Sequence, residues 1–520
     1  MPAAPHSAAP TASPEGASTD YDVAVIGGGI NGAGVAREAA YRGYRTVLFE
    51  KDDFAQATSS QSTKLIHGGI RYLETGHFRL VYESLRERRT LLRIAPHLVS
   101  PLELVIPIYK GSVRPPWMVR LGTLLYDLLA GSRNLGRSRR VPRRELRAIP
   151  GLRQEDLSGA VAYFDAQALD SRLCLETALS AREAGARVLN HHPVTRVRLD
   201  GGRYEIEGED LRTGQPYRAQ ARAVVNATGP WVPFFERDTL GHPTKPIAYD
   251  RGIHFVIPSL GIRTGLALMG SDRRLIFVLP WRERFTLIGT TESRFVGEDF
   301  TDVPPSEEEI AYLLLTFNGF FPRRNLKREE VRHIYSGVRA LAVGSELSLT
   351  RASRESEVEV HLDAPGTAWL VLYGGKLTSY RSYAVKIVDE IARRVPPPPG
   401  AARRDTATVP LPGGEPEDAA LAQRFAGAAP MQREVWRKRY GSRWTEVARR
   451  AAEDPRLAEL LVPGHWFTRA DLAYMVEVEQ AYRLRDITLR RTKLIYDLTP
   501  AESERLAAAL QEQLRAARTA

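Results

Sequence analysis

Cysteine and long apolar runs are nearly absent from this sequence. Cys174 is the only cysteine among 520 residues, which excludes an intrachain disulfide and a cluster of thiolate metal ligands. It lies in the apolar, helix-like stretch LCLETAL, so we expect a packed thiol rather than a nucleophile. No apolar run approaches the ~20 residues that a membrane-spanning helix needs. Residues 1–19 lack the charged and apolar regions of a secretory signal, and their Ala, Pro and Ser content predicts a disordered arm.

Acidic residues are outnumbered by basic ones. The chain has 62 Asp and Glu against 73 Lys and Arg, a formal net charge of +11. This excess is compatible with anionic substrates, nucleic acid or an anionic membrane surface, and it does not select among them. With 43% apolar and 26% charged residues, the composition is that of an ordinary globular protein long enough to bury a large core.

The first ordered elements are predicted to form a β-α-β unit. DVAVI at 22–26 predicts a strand, a helix follows from about Gly32 to Arg42, and a second strand ends at Phe49. Such a unit implies a parallel sheet. Alternating stretches such as RVLNHHPVTRVRL, HFVIP, LIFVLPW and FTLIGTT favour antiparallel strands elsewhere.

Proline marks a domain boundary late in the chain. RRVPPPPGAARR at 393–404 favours an extended polyproline spacer. We therefore predict a large α/β domain at 20–395, a linker at 396–410 and a small helical domain at 411–520, where Ala, Leu, Glu and Arg recur with helical periodicity.

Three glycines at the first β-α turn predict a dinucleotide site. Gly27 makes the turn, Gly29 lets a pyrophosphate approach the backbone, and Gly32 lets the helix pack against the strand. The helix N-terminus then faces the phosphates. Glu50 ends the next strand, where a carboxylate accepts from ribose hydroxyls. The alternative is a tight turn that holds no ligand.

A second strand and turn favour FAD over NAD. VVNATG at 224–229 places Ala227 and Gly229 after a buried strand, an arrangement seen in flavoproteins of the glutathione-reductase-like superfamily. No second GxGxxG follows a strand, so the sequence offers no separate site for a nicotinamide nucleotide.

Further motifs resemble a known family over about 20–520. In chain order they are ATSSQSTKLIHGGIRYLE (57–74), VVNATGPWV (224–232), GIHFVIP (252–258), FVLPW (277–281), IGTTE (288–292), YSGVRAL (335–341), LTR (349–351), YGGKLTSYR (373–381) and ADLAYMVEVEQAYRLRDITLRRTK (470–493). Together they resemble the FAD-dependent glycerol-3-phosphate dehydrogenases of the aerobic, quinone-linked type. One departure is Ala340, which stands where many relatives place proline.

The resemblance implies a fold, an activity and a location. The fold would be α/β, with a glutathione-reductase-like FAD-binding Rossmann subdomain, an antiparallel-sheet substrate subdomain interleaved with it, and a C-terminal helical domain. The enzyme would oxidise sn-glycerol 3-phosphate to dihydroxyacetone phosphate by hydride transfer to FAD and pass the electrons to a membrane quinone. It would sit as a peripheral protein on the cytoplasmic face of the cell membrane. A homodimer is a further expectation, although no sequence pattern specifies the oligomeric state.

The cofactor-binding candidates combine the glycine fingerprint with residues implied by the resemblance. They are Gly27, Gly29, Gly32, Glu50, Ser60, Lys64, Val194, Ala227, Gly229, Gly374, Gly375, Lys376, Leu377 and Thr378. Gly374 and Gly375 would let backbone amides approach the flavin ring, and Thr378 would donate to its carbonyl edge. Val194 would contact the adenine side. The resemblance also implies that FAD is bound without a covalent link, so His67 is predicted to be a structural residue of the flavin loop, the stretch 57–74.

Substrate and catalytic candidates follow from the chemistry of a phosphorylated alcohol. A phosphate dianion needs arginine forks, and Arg71, Arg339 and Arg351 match motif arginines. Arg71 would alternatively brace the flavin loop, and Tyr72 would either hydrogen-bond the substrate or pack. His254 is a candidate base, or else bonds within a sheet. Arg339 and Lys376 are the other catalytic candidates; Lys376 would be a base if its pKa were lowered, or a cation that holds substrate or reduced flavin.

Some histidines and one helix need separate interpretation. His191 and His192 have no carboxylate or cysteine at ligand spacing, so we predict no metal site. WMVRLGTLLYDLL at 117–129 predicts an amphipathic helix whose apolar face consists of Trp117, Met118, Leu121, Leu124, Leu125 and Leu128. The flanking arginines are Arg114, Arg120, Arg133, Arg137, Arg139 and Arg140. This pattern suits an interfacial helix on anionic lipid, and the alternative is a core-packed helix beside solvated charges.

Three other functions compete with quinone-linked oxidation. A glycerol-3-phosphate oxidase would share the flavin and substrate motifs but pass electrons to oxygen and make peroxide. A flavin-dependent tRNA-modifying or nucleic-acid-binding protein would use the positive charge, but RNP, KH and zinc-knuckle patterns are missing, so we predict no nucleic-acid partner. A non-catalytic scaffold is disfavoured by the intact Arg, His and Lys set.

Overall fold

A computed structural model describes most of the chain. The described residues are 19–270, 272, 274–342 and 357–519. Almost all of the predicted arm, and the predicted substrate residue Arg351, lie outside them.

The described elements alternate along the chain. The strands are β1 (Thr19–Ile26), β2 (Thr46–Phe49), β3 (Leu65–Ile66), β4 (Val99–Tyr109), β5 (Arg139–Arg140), β6 (Leu157–Ala168), β7 (Arg187–Leu189), β8 (Val194–Asp200), β9 (Arg203–Asp210), β10 (Gln215–Asn226), β11 (Ile247–Pro258), β12 (Gly265–Met269), β13 (Leu275–Trp281), β14 (Phe285–Gly289), β15 (Ser293–Arg294), β16 (His333–Ala342), β17 (Glu357–His361), β18 (Ala368–Tyr373), β19 (Leu460–Val462) and β20 (Phe467–Thr468). The α-helices are α1 (Ile30–Tyr41), α2 (Phe78–Ile94), α3 (Pro116–Ala130), α4 (Arg143–Arg147), α5 (Asp170–Glu183), α6 (Val232–Asp238), α7 (Glu307–Phe320), α8 (Tyr380–Ala392), α9 (Ala419–Arg424), α10 (Pro430–Tyr440), α11 (Trp444–Glu453), α12 (Arg469–Glu477) and α13 (Pro500–Thr519).

The first sheet has a parallel centre. Its order is β17-β18-β10-β1-β2-β7, and β18, β10, β1, β2 and β7 run parallel. Val23, Val25, Val224 and Val225 are fully buried because helices cover one face of this sheet and further strands and loops cover the other. Helix α1 connects β1 to β2, as the β-α-β prediction required.

One predicted strand has the opposite direction. The stretch RVLNHHPVTRVRL divides into β7, which pairs parallel with β2, and β8, which pairs antiparallel with β9. The expectation of antiparallel strands throughout this stretch was therefore wrong for β7. The chain enters β7 from α5, and the strand before α5 is β6 of the second sheet, so the direction of β7 is set by its long-range pairing with β2 and not by the local residue pattern.

The second sheet is mostly antiparallel. Its order is β15-β11-β14-β13-β12-β4-β6-β3, with β16 paired to β11. The predicted strands HFVIP, LIFVLPW and FTLIGTT form parts of β11, β13 and β14. Strand β11 carries His254 and β16 carries Arg339, so the pairing of these strands brings two site candidates to one surface.

The C-terminal region is mainly helical. Helices α9 to α13 surround buried Trp436, Trp444 and Phe467, and the short pair β19–β20 adds a small sheet. The linker that precedes it has no helix or strand and lies against α1: Arg37 donates to the carbonyl oxygens of Thr406 and Val409 at 3.0 and 2.7 Å. The linker is therefore bonded to the α/β domain rather than held away from it.

Helix α3 exposes the predicted apolar face. Trp117, Leu121 and Leu128 are 66%, 60% and 76% exposed, whereas Thr123 and Tyr126 on the opposite side are buried. The alternative of a core-packed apolar face is therefore wrong. No helix among the described residues is both long and apolar enough to cross a bilayer.

Candidate active site

One cavity joins the two sheets. It has a volume of about 1380 Å³. Gly27, Glu50, Ala227 and Gly374 line it, and each directly follows the end of a parallel strand. Ligands of open α/β sheets bind at this edge, where the loops after neighbouring strands diverge. The opposite wall comes from the second sheet and the loop after β2.

The glycine loop has the geometry of a phosphate cradle. A Cβ atom on Gly27, whose φ is +109°, would lie 2.5 Å from the Ala227 carbonyl oxygen. A Cβ on Gly32 would lie 1.9 Å from the Gly27 carbonyl oxygen, so Gly32 is needed for helix packing and does not itself line the cavity. Gly29 lines the cavity at the N-terminus of α1. These features fit a dinucleotide, since its pyrophosphate needs a close backbone approach there.

Glu50 lies at the cavity edge and organises the backbone around it. Its Oε2 accepts from the Gly28 amide at 2.6 Å, and its Oε1 accepts from the Asp52 amide at 2.8 Å. Burial raises the pKa of the Glu50 carboxyl, against the opposing effect of these amides. Each oxygen keeps a further lone pair, so the carboxylate is able to accept from a ribose hydroxyl.

Two flavin-loop candidates lie behind the cavity wall. The Lys64 ammonium donates to Asp170 and to the Ser60 carbonyl oxygen, each at 2.6 Å, and neither Lys64 nor Ser60 lines the cavity. Their neighbours Ser59 and Thr63 line it instead. The motif indicated the loop correctly, but the direction of each side chain depends on the turns within it.

The remaining cofactor candidates lie along the cavity. Val194, Gly229, Gly375, Lys376, Leu377 and Thr378 all line it. Asn31, which sequence analysis missed, donates to the Gly374 carbonyl oxygen at 3.1 Å. The Thr378 hydroxyl accepts from the His67 amide at 3.1 Å. This hydrogen bond connects the segment after β3 to the segment after β18.

His254 is held between strands in a fixed orientation. Its ring stacks on Tyr335 with centroids 4.9 Å apart, and a Cβ on Gly289 would lie 2.2 Å from its Cδ2. Its Nε2 lies 3.0 Å from the Thr63 hydroxyl oxygen. Burial lowers the pKa of His254 well below 6.5, and the charges of Lys64 and Arg339 lower it further. The imidazole is therefore neutral at physiological pH.

Several cationic side chains line the same cavity as His254. Arg339 lines the cavity and pairs with Asp250 at 2.8 Å, while Arg71 lines the wall beside Tyr72. The Lys376 ammonium lies 4.1 Å from the centre of the Tyr72 ring. Arg114 also lines the cavity, although its sequence position had suggested only a border of the apolar helix.

Comparison with known proteins identifies the family. The FAD dependent oxidoreductase family model matches residues 22–381, and the model of the C-terminal domain of alpha-glycerophosphate oxidase matches 404–516. The chain is 36% identical to the aerobic glycerol-3-phosphate dehydrogenase of Escherichia coli (strain K12), over 91% of this chain and 93% of that protein. It is 37% identical to the D-erythritol 1-phosphate dehydrogenase of Brucella abortus (strain 2308), over 92% and 96%.

A solved structure agrees with these matches. The glycerol-3-phosphate dehydrogenase of Bacillus halodurans, solved in complex with FAD, superimposes with a TM-score of 0.71 at 27% identity, over 95% of each chain. The predicted fold class and the predicted FAD dependence are confirmed. The chain belongs to the FAD-dependent oxidoreductases, in the branch that contains the glycerol-3-phosphate dehydrogenases.

Proposed function

We propose that this protein oxidises sn-glycerol 3-phosphate to dihydroxyacetone phosphate with FAD as the hydride acceptor. The observation that carries the proposal is a single cavity that runs from the glycine cradle to His254, Arg339 and Lys376. A cofactor in the cradle and an anionic alcohol among the cations would therefore share one chamber. The activities of the relatives support this assignment.

The cofactor would be held by backbone more than by side chains. Gly27 and Gly29 would face the pyrophosphate, Glu50 the ribose, and Gly374 and Gly375 the flavin ring. Bound FAD supplies an electron-pair acceptor for a hydride from the substrate carbon. Ser60 and Lys64 contribute by shaping the loop, because the Lys64 side chain is buried against Asp170.

Arginine side chains would bind the substrate phosphate. Arg339 is partly exposed to the cavity and is oriented by Asp250, so its guanidinium keeps donors available for an anion. Arg71 supplies a second fork from the loop after β3. Arg351, which lies outside the described residues, remains a proposed third contact from the family motif.

His254 would accept the hydroxyl proton. Its imidazole is neutral and its Nε2 is directed toward the Thr63 hydroxyl at the cavity wall. A neutral imidazole has a lone pair for the proton that leaves as the hydride is transferred. Lys376, over the Tyr72 ring, would stabilise negative charge that develops in the site.

Flavin bleaching tests the substrate directly. Anaerobic addition of sn-glycerol 3-phosphate should reduce the bound flavin rapidly, whereas glycerol, which lacks the phosphate, should leave it oxidised. D-erythritol 1-phosphate belongs in the same experiment, because one relative acts on it. Faster bleaching by the four-carbon compound would overturn the choice of glycerol phosphate and retain the phosphorylated alcohol.

We also infer peripheral attachment to the cytoplasmic membrane face and a quinone acceptor. The face of α3 that carries Trp117, Leu121 and Leu128 is exposed, and the exposed arginines Arg137 and Arg140 lie just beyond the helix. This combination suits anionic lipid.

The cavity reaches the same region of the surface. His77 and Arg114 both line the cavity. His77 directly precedes α2, and Arg114 lies two residues before the start of α3. An apolar acceptor in the bilayer would therefore approach the flavin from this side. Reoxidation of the reduced enzyme by a soluble quinone analogue, without stoichiometric peroxide, would support this acceptor; peroxide formation at the same rate in oxygen would support an oxidase.

A further inference from the structure

A segment of the C-terminal region reaches the back of the cofactor site. We call residues 479–493 the brace segment. It packs against the loop at 50–55 after β2 through buried charged side chains. Its backbone also accepts a hydrogen bond from Ser171 of α5. The brace segment lies outside the cavity lining, and neither the flavin nor the substrate assignment uses it.

Asp53 is the main contact of the brace segment. Its side chain is fully buried and accepts from Arg490 Nε at 2.5 Å and from Arg491 Nη1 and Nη2 at 2.5 and 2.8 Å. Asn190 donates to the same carboxylate at 3.1 Å. Both guanidinium groups are themselves buried, so each needs carboxylate partners: Asp53 pairs with both, Asp486 also pairs with Arg490, and Glu479 lies 3.7 Å from Arg491.

The cluster also contains the residue types of a metal site. Asp53, His191 and Asp486 have potential ligand atoms within 4.8 Å of one another. However, Arg490 bonds both carboxylates and Arg491 bonds Asp53, so guanidinium groups already neutralise them. The cluster is better explained as an ion-pair anchor than as a cation site.

The anchor is connected to the proposed ribose contact within three residues. The Asp52 amide and the Gly28 amide donate to the two oxygens of Glu50, and the Ala55 amide donates to the Gly28 carbonyl oxygen at 3.2 Å. Asp53 lies inside this short loop. Fixing its carboxylate therefore fixes the backbone that orients Glu50 and the glycine loop.

The brace segment is also connected to the flavin loop, through α5. The Ser171 hydroxyl donates to the Arg490 carbonyl oxygen at 2.7 Å. The adjacent Asp170 accepts from Ser62 at 2.8 Å and from the Lys64 ammonium at 2.6 Å, which holds the flavin loop. The loop that contains Asp53 is thus bonded to the brace segment directly, and the loop that contains Ser62 and Lys64 is connected to it through Asp170 and Ser171 of α5.

We propose that the brace segment is part of the FAD-holding machinery, and that Arg490 and Arg491 are positioning residues. They hold Asp53, and through it Glu50, in the arrangement that binds the cofactor. The inference rests on the proposed placement of the FAD ribose at Glu50. It assigns the C-terminal region a role in cofactor retention that is separate from substrate oxidation.

Cofactor rebinding tests the proposal. FAD is removed from purified D53N, R491K and wild-type protein, and the Kd for FAD is measured by flavin fluorescence quenching. We expect D53N to raise the Kd about tenfold, and R491K to raise it less, because a lysine keeps the charge but loses the fork. R449Q is the control, since Arg449 is an exposed arginine of the same domain whose ion pair is with Glu453 on its own helix; its Kd should stay within about twofold of wild type.

Two further measurements separate cofactor holding from simple domain docking. If the cluster only docks the domain, D53N lowers the Tm of the apo and FAD-bound forms equally and leaves the Kd unchanged, which overturns the proposal. If it acts through Glu50, the rise in Tm on adding FAD shrinks, and the double variant E50Q/D53N binds FAD about as weakly as E50Q. A normal Kd for E50Q beside a raised Kd for D53N would refute the route through Glu50 and the ribose placement, while flavin bleaching by glycerol phosphate would still test the proposed function.

Discussion

The Nε2 atom of His254 lies 3.0 Å from the Oγ1 atom of Thr63. Thr63 belongs to the loop after β2 and His254 to the second sheet, so this contact joins the proposed cofactor side of the cavity to the proposed substrate side. Among the described residues, the other ring nitrogen of His254 is buried and has no hydrogen-bond partner. A substrate proton would therefore be accepted by the nitrogen that faces Thr63, as we propose for the general base.

Replacement of His254 should slow flavin reduction. In His254→Gln the amide is unable to accept the substrate proton, and general-base catalysis contributes about 10²–10⁴-fold. We expect a fall of at least about 100-fold in the anaerobic reduction rate measured by stopped flow. His465→Gln, a change in the C-terminal region, should reduce at the wild-type rate. Wild-type reduction by the His254 variant would remove the base assignment.

The lowered pKa of His254 should appear in the pH dependence of stability. Its pKa in the folded protein lies well below 6.5, so below pH 6.5 the unfolded chain binds a proton that the folded chain does not. The free energy of unfolding should therefore fall with decreasing pH in this window, by at most about 1.4 kcal/mol per pH unit from this group. Denaturant titrations between pH 7 and pH 5 should show a smaller loss for His254→Gln than for wild type. Equal slopes would mean that the folded imidazole titrates normally.

Loss of Arg339 should weaken substrate binding. A hydrogen bond to a charged group contributes about 1.5–3 kcal/mol, which corresponds to roughly 10–150-fold in kcat/KM. We expect Arg339→Gln to lower kcat/KM by this amount with most of the change in KM. Arg263→Gln, at an exposed position outside the cavity, serves as the control. An unchanged KM in Arg339→Gln would argue against phosphate recognition by this residue.

Polar substitutions on α3 should release the protein from lipid. Leu121 and Leu128 are 60% and 76% exposed, and each buried leucine contributes about 1.5–3 kcal/mol. We expect L121Q/L128Q to reduce cosedimentation with anionic vesicles at least about tenfold. The matched control, L315Q/L362Q, changes two leucines that are 77% and 62% exposed elsewhere, and it should bind as wild type does. Identical losses in both double variants would falsify a specific lipid-binding face.

Alanine at Gly32 should disrupt the cradle. Its Cβ would lie 1.9 Å from the Gly27 carbonyl oxygen, so either α1 or the glycine turn must move. We expect Gly32→Ala to cost about 1–3 kcal/mol of stability and to yield protein with little bound flavin. Gly122→Ala provides the comparison, because nothing lies within 4 Å of the added Cβ there. Purification of Gly32→Ala with a full complement of FAD would contradict the packing argument.

The sequence predicted those parts of the site whose geometry depends on residues close together in the chain. The turn at Gly27, the helix after it and the strand before Glu50 are specified by short-range geometry, and the sequence identified all three. The leucine face of α3 was predicted because residues three and four apart lie on the same side of a helix. Its exposure was not settled by the sequence, because the same periodicity also describes a helix that packs in a core.

The sequence by itself determined the FAD fingerprint, the two sheet types and several of the residues that line the cavity. Only the tertiary structure decided that Ser60 and Lys64 lie behind the wall while Thr63 faces His254, and that β7 runs parallel to its neighbour. It also decided that Asp53 meets Arg491, 438 residues further along the chain. Side chains so far apart meet only when the whole core packs, so no local pattern specifies which of many arginines a buried carboxylate will bind.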